Sequence, residues 1–133
     1  MTAQNPLELI QARNLLSSVS TPGMLVSGPG DVIFYNEAAS ALLGQRFEET
    51  GTLSAQDWVQ TFGPFDDDGE PIPLERQPLT LALRANRPGH AVYVIRSAGG
   101  EERRIEASGV PIIGKDGFTG ALILFWAAVE AEA

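Results

Sequence analysis

The last third of the chain limits the fold more than any other stretch. Ala91 to Arg96, Arg103 to Ile112 and Phe118 to Trp126 are three runs rich in β-branched and aromatic residues. The short polar spacers SAGGEE, residues 97–102, and GKDG, residues 114–117, separate them. Spacers this short join antiparallel neighbours, so the segment reads as a three-stranded meander. A second hairpin lies earlier. GMLVSGPGDVIFYN, residues 23–36, places Gly28-Pro29-Gly30-Asp31 between two apolar runs.

The rest is helical in character. Leu9, Ala12, Leu16 and Val19 recur at helical spacing and predict an amphipathic helix over residues 6–19. This helix is too short to stand alone, so its stripe must meet the sheet or a second copy of the chain; a homodimer using these four residues is expected. Asn36 suits the cap of a helix over 36–43, because its side-chain oxygen can accept an unpaired first-turn amide, and Gly44 suits the end. Ser54 can cap a turn holding Trp58, Val59 and Phe62, and Pro64 closes it. A central helix is expected over Leu74 to Asn86, with Pro78 in a first turn, where a missing amide costs nothing. The order of elements indicates an α+β domain on an antiparallel sheet.

Composition removes several function classes. The 133 residues suffice for one domain. Acidic residues outnumber basic ones 17 to 9, for a net charge of −8, and no basic stripe is visible; nucleic acid is not an expected partner. Cysteine is absent, which excludes disulfides, thiolate nucleophiles and a cysteinyl-flavin photosensor. The longest apolar run, Gly120 to Val129, is about half a membrane span, so no membrane segment is expected and the default location is cytoplasmic.

Three segments, in order, carry a resemblance. DVIFYNEAASALLG (31–44), DDDGEPIPLERQPLTLALR (66–84) and EERRIEASGVPIIGKDGFTGALILFW (101–126) resemble the PAS domain family of small sensor and interaction domains. The resemblance implies a five-stranded antiparallel sheet of order 2-1-5-4-3 with short helices on one face, preceded by the N-terminal amphipathic helix. It implies a division into a helical segment at 1–20, a PAS-like domain at 21–129 and an acidic end at 130–133. Many relatives carry an Asp-Ile/Val-Thr output triplet where this chain has Ala127, Ala128 and Val129. A stand-alone module or an excised fragment is therefore implied.

Candidate sites have competing readings. Asn36 is expected to be a structural cap. Asp66, Asp67, Asp68, Gly69 and Glu75 echo a calcium loop, but Pro64 stands at the first ligand position and Pro71 and Pro73 block the following helix; a solvated acidic loop is expected, and no metal. Haem-binding members of the family usually carry the axial histidine on the central helix; Leu74 to Asn86 has none and His90 lies beyond it, so haem is not expected, and nothing specific in the sequence supports a non-covalent flavin. Trp58, Phe62, Leu79, Leu83, Val92, Val94, Ile105, Leu122 and Leu124 are the candidate lining of a small apolar ligand pocket; they could equally fill a packed core. No catalytic residue is assigned. The expected function is a PAS-type signalling or sensor module acting through protein contacts, as a homodimer and on a signalling partner in trans. The alternatives are a cone-shaped isomerase or cyclase, which needs an Asp, His or Tyr base inside its cavity, and a dimerisation module without a ligand.

Overall fold

The computed structural model describes residues 7–66 and 68–128. The expected acidic end, Val129, Asp67 and the first residue of the predicted N-terminal helix, Pro6, lie outside the described residues. Helix α1 spans Leu7–Leu16, followed by the hairpin β1 (Gly23–Ser27) and β2 (Val32–Tyr35). Helices α2 (Glu37–Leu43), α3 (Phe47–Thr50) and α4 (Ala55–Phe62) come next, then a 3-10 turn at Leu74–Arg76 and helix α5 (Pro78–Arg84). Strands β3 (Gly89–Arg96), β4 (Glu102–Gly114) and β5 (Gly117–Ala127) complete one antiparallel sheet of order β2-β1-β5-β4-β3. That is the expected fold.

Local chemistry sets the boundaries. Asn36 Oδ1 accepts the Ala39 N–H at 3.0 Å, and Gly44 ends α2 at φ 76°, the left-handed region that favours glycine. Ser54 accepts from the Asp57 N–H and starts α4. Two helices are shorter than expected. α1 stops at Leu16, where the Ser17 hydroxyl donates back to the Arg13 carbonyl and Val19 falls in the exit turn. The central helix is split, because Pro78 has no amide to continue the preceding turn and instead opens α5.

The sheet separates two apolar layers. On its inner face α2, α4 and α5 pack with Tyr35, Tyr93, Ile95, Ile105, Ala107, Ala121, Ile123 and Phe125. On its outer face Leu9 and Leu16 of α1 pack with Leu25 and Phe34, flanked by Ala12, Leu122 and Leu124. This corrects the expected dimer stripe. Leu9 and Leu16 are 2% and 1% exposed within one chain, so they have no surface left for a second copy, while Val19 is exposed outside the helix.

Candidate ligand cavity

Between the inner helices and the sheet lies a cavity of about 100 Å³. Tyr93, Ile95, Ile105, Ala107, Ala121, Ile123 and Phe125 form its floor, Met24, Val26 and Val32 one wall, and Leu43, Trp58, Val59, Leu79 and Leu83 the roof. α5 comes close to the floor because the strands under it carry glycine. A Cβ at Gly109 would lie 3.0 Å from Leu79 Cδ1 and 3.2 Å from Leu83 Cδ1, and one at Gly89 2.8 Å from Leu79 Cδ1.

Of the residues expected here, Trp58, Leu79, Leu83 and Ile105 line the cavity. Phe62 is buried beside it, its ring 4.8 Å from that of Trp58. Val92, Val94, Leu122 and Leu124 are corrected to the outer face. Val92 and Val94 stand opposite Glu106 and Arg104, whereas their neighbours Tyr93 and Ile95 point inward. In β5 the cause is a bulge: Gly114 pairs with Gly117 and Ile113 with Phe118, but Ile112 pairs with Gly120. The extra residue, Thr119, shifts the register by one and turns Leu122 and Leu124 outward. Ile123 and Phe125 take the inner positions.

Few polar groups reach the cavity. Tyr93 Oη accepts the Leu79 N–H at 3.4 Å, and burial pushes its pKa up, opposed weakly by that bond. Burial also raises the Tyr35 pKa; its hydroxyl donates to the Gln45 carbonyl at 2.8 Å. Among the described lining residues there is no Asp, Glu or His, and a phenol kept protonated by burial is a weak base. The isomerase or cyclase alternative finds no general base in this lining. Pockets for drug-sized molecules measure about 300–1,000 Å³, against about 100 Å³ here. His90 lies on the outer face, its ring 6.2 Å from that of Trp126. The acidic loop closes on itself, Asp66 Oδ1 accepting the N–H groups of Asp68 and Glu70.

Asn36 does more than cap. Its Oδ1 also accepts the Gly23 N–H at 3.1 Å, and its Nδ2 donates to the Leu16 and Thr21 carbonyls at 3.1 and 2.9 Å. One side chain thus ties the exit of α1 and the start of β1 to α2, whose Leu43 lines the cavity. Sequence reasoning found the cap because the signal is local. The donor role needs partners 15 and 20 residues away.

Compared by sequence, the chain matches no family model and no curated protein. Its structure does have counterparts. A PAS domain of a protein from Colwellia psychrerythraea superposes with a TM-score of 0.66 at 18% identity, covering 90% of this chain and 96% of that one. The Rhodobacter sphaeroides LOV protein gives 0.72 at 12% identity over 96% and 71%. The PAS domain of nitrogen regulation protein NR(II) from Vibrio parahaemolyticus gives 0.60 at 15% over 87% and 96%. The chain has the PAS fold.

Proposed function

We propose that this PAS-fold domain is a signalling or sensor module in which a small, mostly apolar ligand enters the cavity and alters how the outer face meets another protein. The cavity carries the reading: a space of about 100 Å³ under α5 costs stability that a ligand of matching shape restores. A ligand acts by its differential affinity for two packings of the sheet and α1. Asn36 supplies a route, since it joins the cavity-lining helix α2 to the exit of α1. Leu7, Ile10 and Leu15 of α1 and Val92 and Val110 of the outer face are exposed and support protein contact. The module acts in the cytoplasm, as a homodimer through these residues and on a signalling partner in trans. It uses no haem, flavin or catalytic residue.

Native mass spectrometry of freshly purified protein, joined to thermal melts with a small-molecule panel, tests the proposal. The expected result is a dimer mass and a retained or stabilising ligand whose effect Leu83→Trp abolishes while the fold survives. A protein that accepts no compound and loses about 1–3 kcal/mol with Leu83→Trp has a filled core, and the ligand reading falls.

A further inference from the structure

Beside the cavity runs a surface groove of about 530 Å³ with a mixed polar and apolar lining, and the two share Ala55, Val59, Leu74 and Arg84 as a common rim. Leu74 lines both. It rests against Gly30, where φ is +105° and an added Cβ would lie 2.7 Å from Leu74 Cδ2.

Along this rim α5 carries a second stripe beside its apolar one. Gln77, Thr80 and Arg84 recur at three and four residues and all line the cavity. Thr80 is 9% exposed, yet its hydroxyl has no hydrogen-bond partner among the described residues. Gln77 Nε2 donates to the Ile72 carbonyl at 3.0 Å, which leaves Oε1 facing no donor among the described residues. Among the described residues Arg84 bears the only charge in the cavity lining and forms no ion pair, although Asp31 and Glu75 line the groove beyond it. A polar track therefore leads from an apolar interior to one unpaired cation. Among the described residues no fully buried side-chain polar atom lacks a partner, so these free groups still reach solvent; a ligand group that replaces that water keeps their hydrogen bonds, and a guanidinium matches a planar carboxylate.

Resting on the ligand-cavity reading above, we propose that the ligand class is a small monocarboxylic acid. Its apolar body, about the size of one six-membered ring, lies against Leu79 and Leu83; its carboxylate meets Arg84 at the rim, within reach of the Thr80 hydroxyl. An engineered apolar cavity that accepts benzene measures about 150 Å³, more than the 100 Å³ here, so a ring of that size requires Leu74 to move toward the groove. A single charge follows from the protein's net charge of −8, which repels multiply charged anions.

Benzoate and its neutral isostere benzamide, titrated by calorimetry into wild type, Arg84→Gln and Thr80→Val, test the class, with benzene as a purely apolar probe. Methyl chemical shifts of Leu79 and Leu83 report whether the probe is inside. Benzoate should bind wild type at least tenfold more tightly than benzamide. Arg84→Gln should erase that preference without changing benzamide affinity, and Thr80→Val should weaken benzoate severalfold. Equal binding of benzoate and benzamide, or entry of benzene alone, overturns the carboxylate class and leaves the cavity reading standing. A benzoate preference unchanged in Arg84→Gln overturns the role of Arg84. Failure of all three probes to move the Leu79 and Leu83 methyls overturns the carboxylate class and the cavity reading together.

Discussion

On the outer face of the sheet, Leu9 of α1 rests on Gly120 and Leu16 rests on Gly23; on the inner face, Leu79 of α5 rests on Gly89 and Gly109. Both helices approach through missing side chains, but their surroundings differ. A Cβ at Gly120 would collide with the backbone carbonyl of Val26 as well as with Leu9. At Gly109 it would meet only the methyl ends of Leu79 and Leu83, which border a cavity. The contact is closed down to the backbone at Gly120, whereas at Gly109 it ends on movable side chains; Gly23 and Gly89 reverse this pattern, the first meeting the tip of Leu16 and the second the short side chain of Ala82. The contact of α5 with Gly109 therefore has more room to adjust than the contact of α1 with Gly120.

The sharpest way to break this comparison is a paired substitution. Gly120→Ala should destabilise the domain by about 3 kcal/mol, because strands β1 and β5 must part, while Gly109→Ala should cost about 1 kcal/mol or less. Urea unfolding measures both; equal losses would show that the contact at Gly109 has no such room. The next largest effect is at the residue that joins the faces. Asn36→Asp keeps the acceptor for Ala39 and Gly23 but loses the donor to the Leu16 and Thr21 carbonyls, and should cost about 2 kcal/mol. Capping alone predicts a nearly neutral change, so a loss below about 0.5 kcal/mol would remove the clamp role.

A smaller effect sharpens the inner face. Tyr35 and Tyr93 are buried there with pKa values raised above 10.0, mainly by desolvation. The unfolded chain loses these protons first as pH rises through about 10, so the contribution is complete below that pH and is lost toward the folded pKa values. Stability should be level through neutrality and fall in the alkaline window. Tyr93→Phe should flatten that fall; an unchanged alkaline slope would assign it to other groups.

Much of the fold was legible because its signals are local. The Asn36 cap, the Gly44 stop and the GKDG turn each need only a few neighbouring residues, whereas the strand order came with the family resemblance. The cavity lining was half legible. In β4, Arg104, Glu106 and Ser108 alternate with Ile105, Ala107 and Gly109, which marks the inner face plainly. In β5, GALILFW is apolar at every position after Gly120, so alternation cannot set its phase, and counting back from the turn fails at the Thr119 bulge. Tyr93 and Ile95 could have been found by counting across SAGGEE, since Arg96 opposite Glu102 brings Tyr93 to Ile105. Gln77 and Thr80 carried a signal too, as polar residues next to an apolar helical stripe.

The central position of β1 and β5 also has a mechanical consequence. Gly23, where β1 begins, pairs with Leu124, near the end of β5, and the Phe125 N–H donates to the Pro22 carbonyl at 2.9 Å. The backbone entering the sheet and the backbone leaving it are therefore side by side at one end of an antiparallel pair. Tension applied between those two points loads the pair's hydrogen bonds one after another from that end, instead of shearing them all at once. The domain is built to unzip at low force when pulled there, and to resist far more when pulled across the opposite ends of the same two strands.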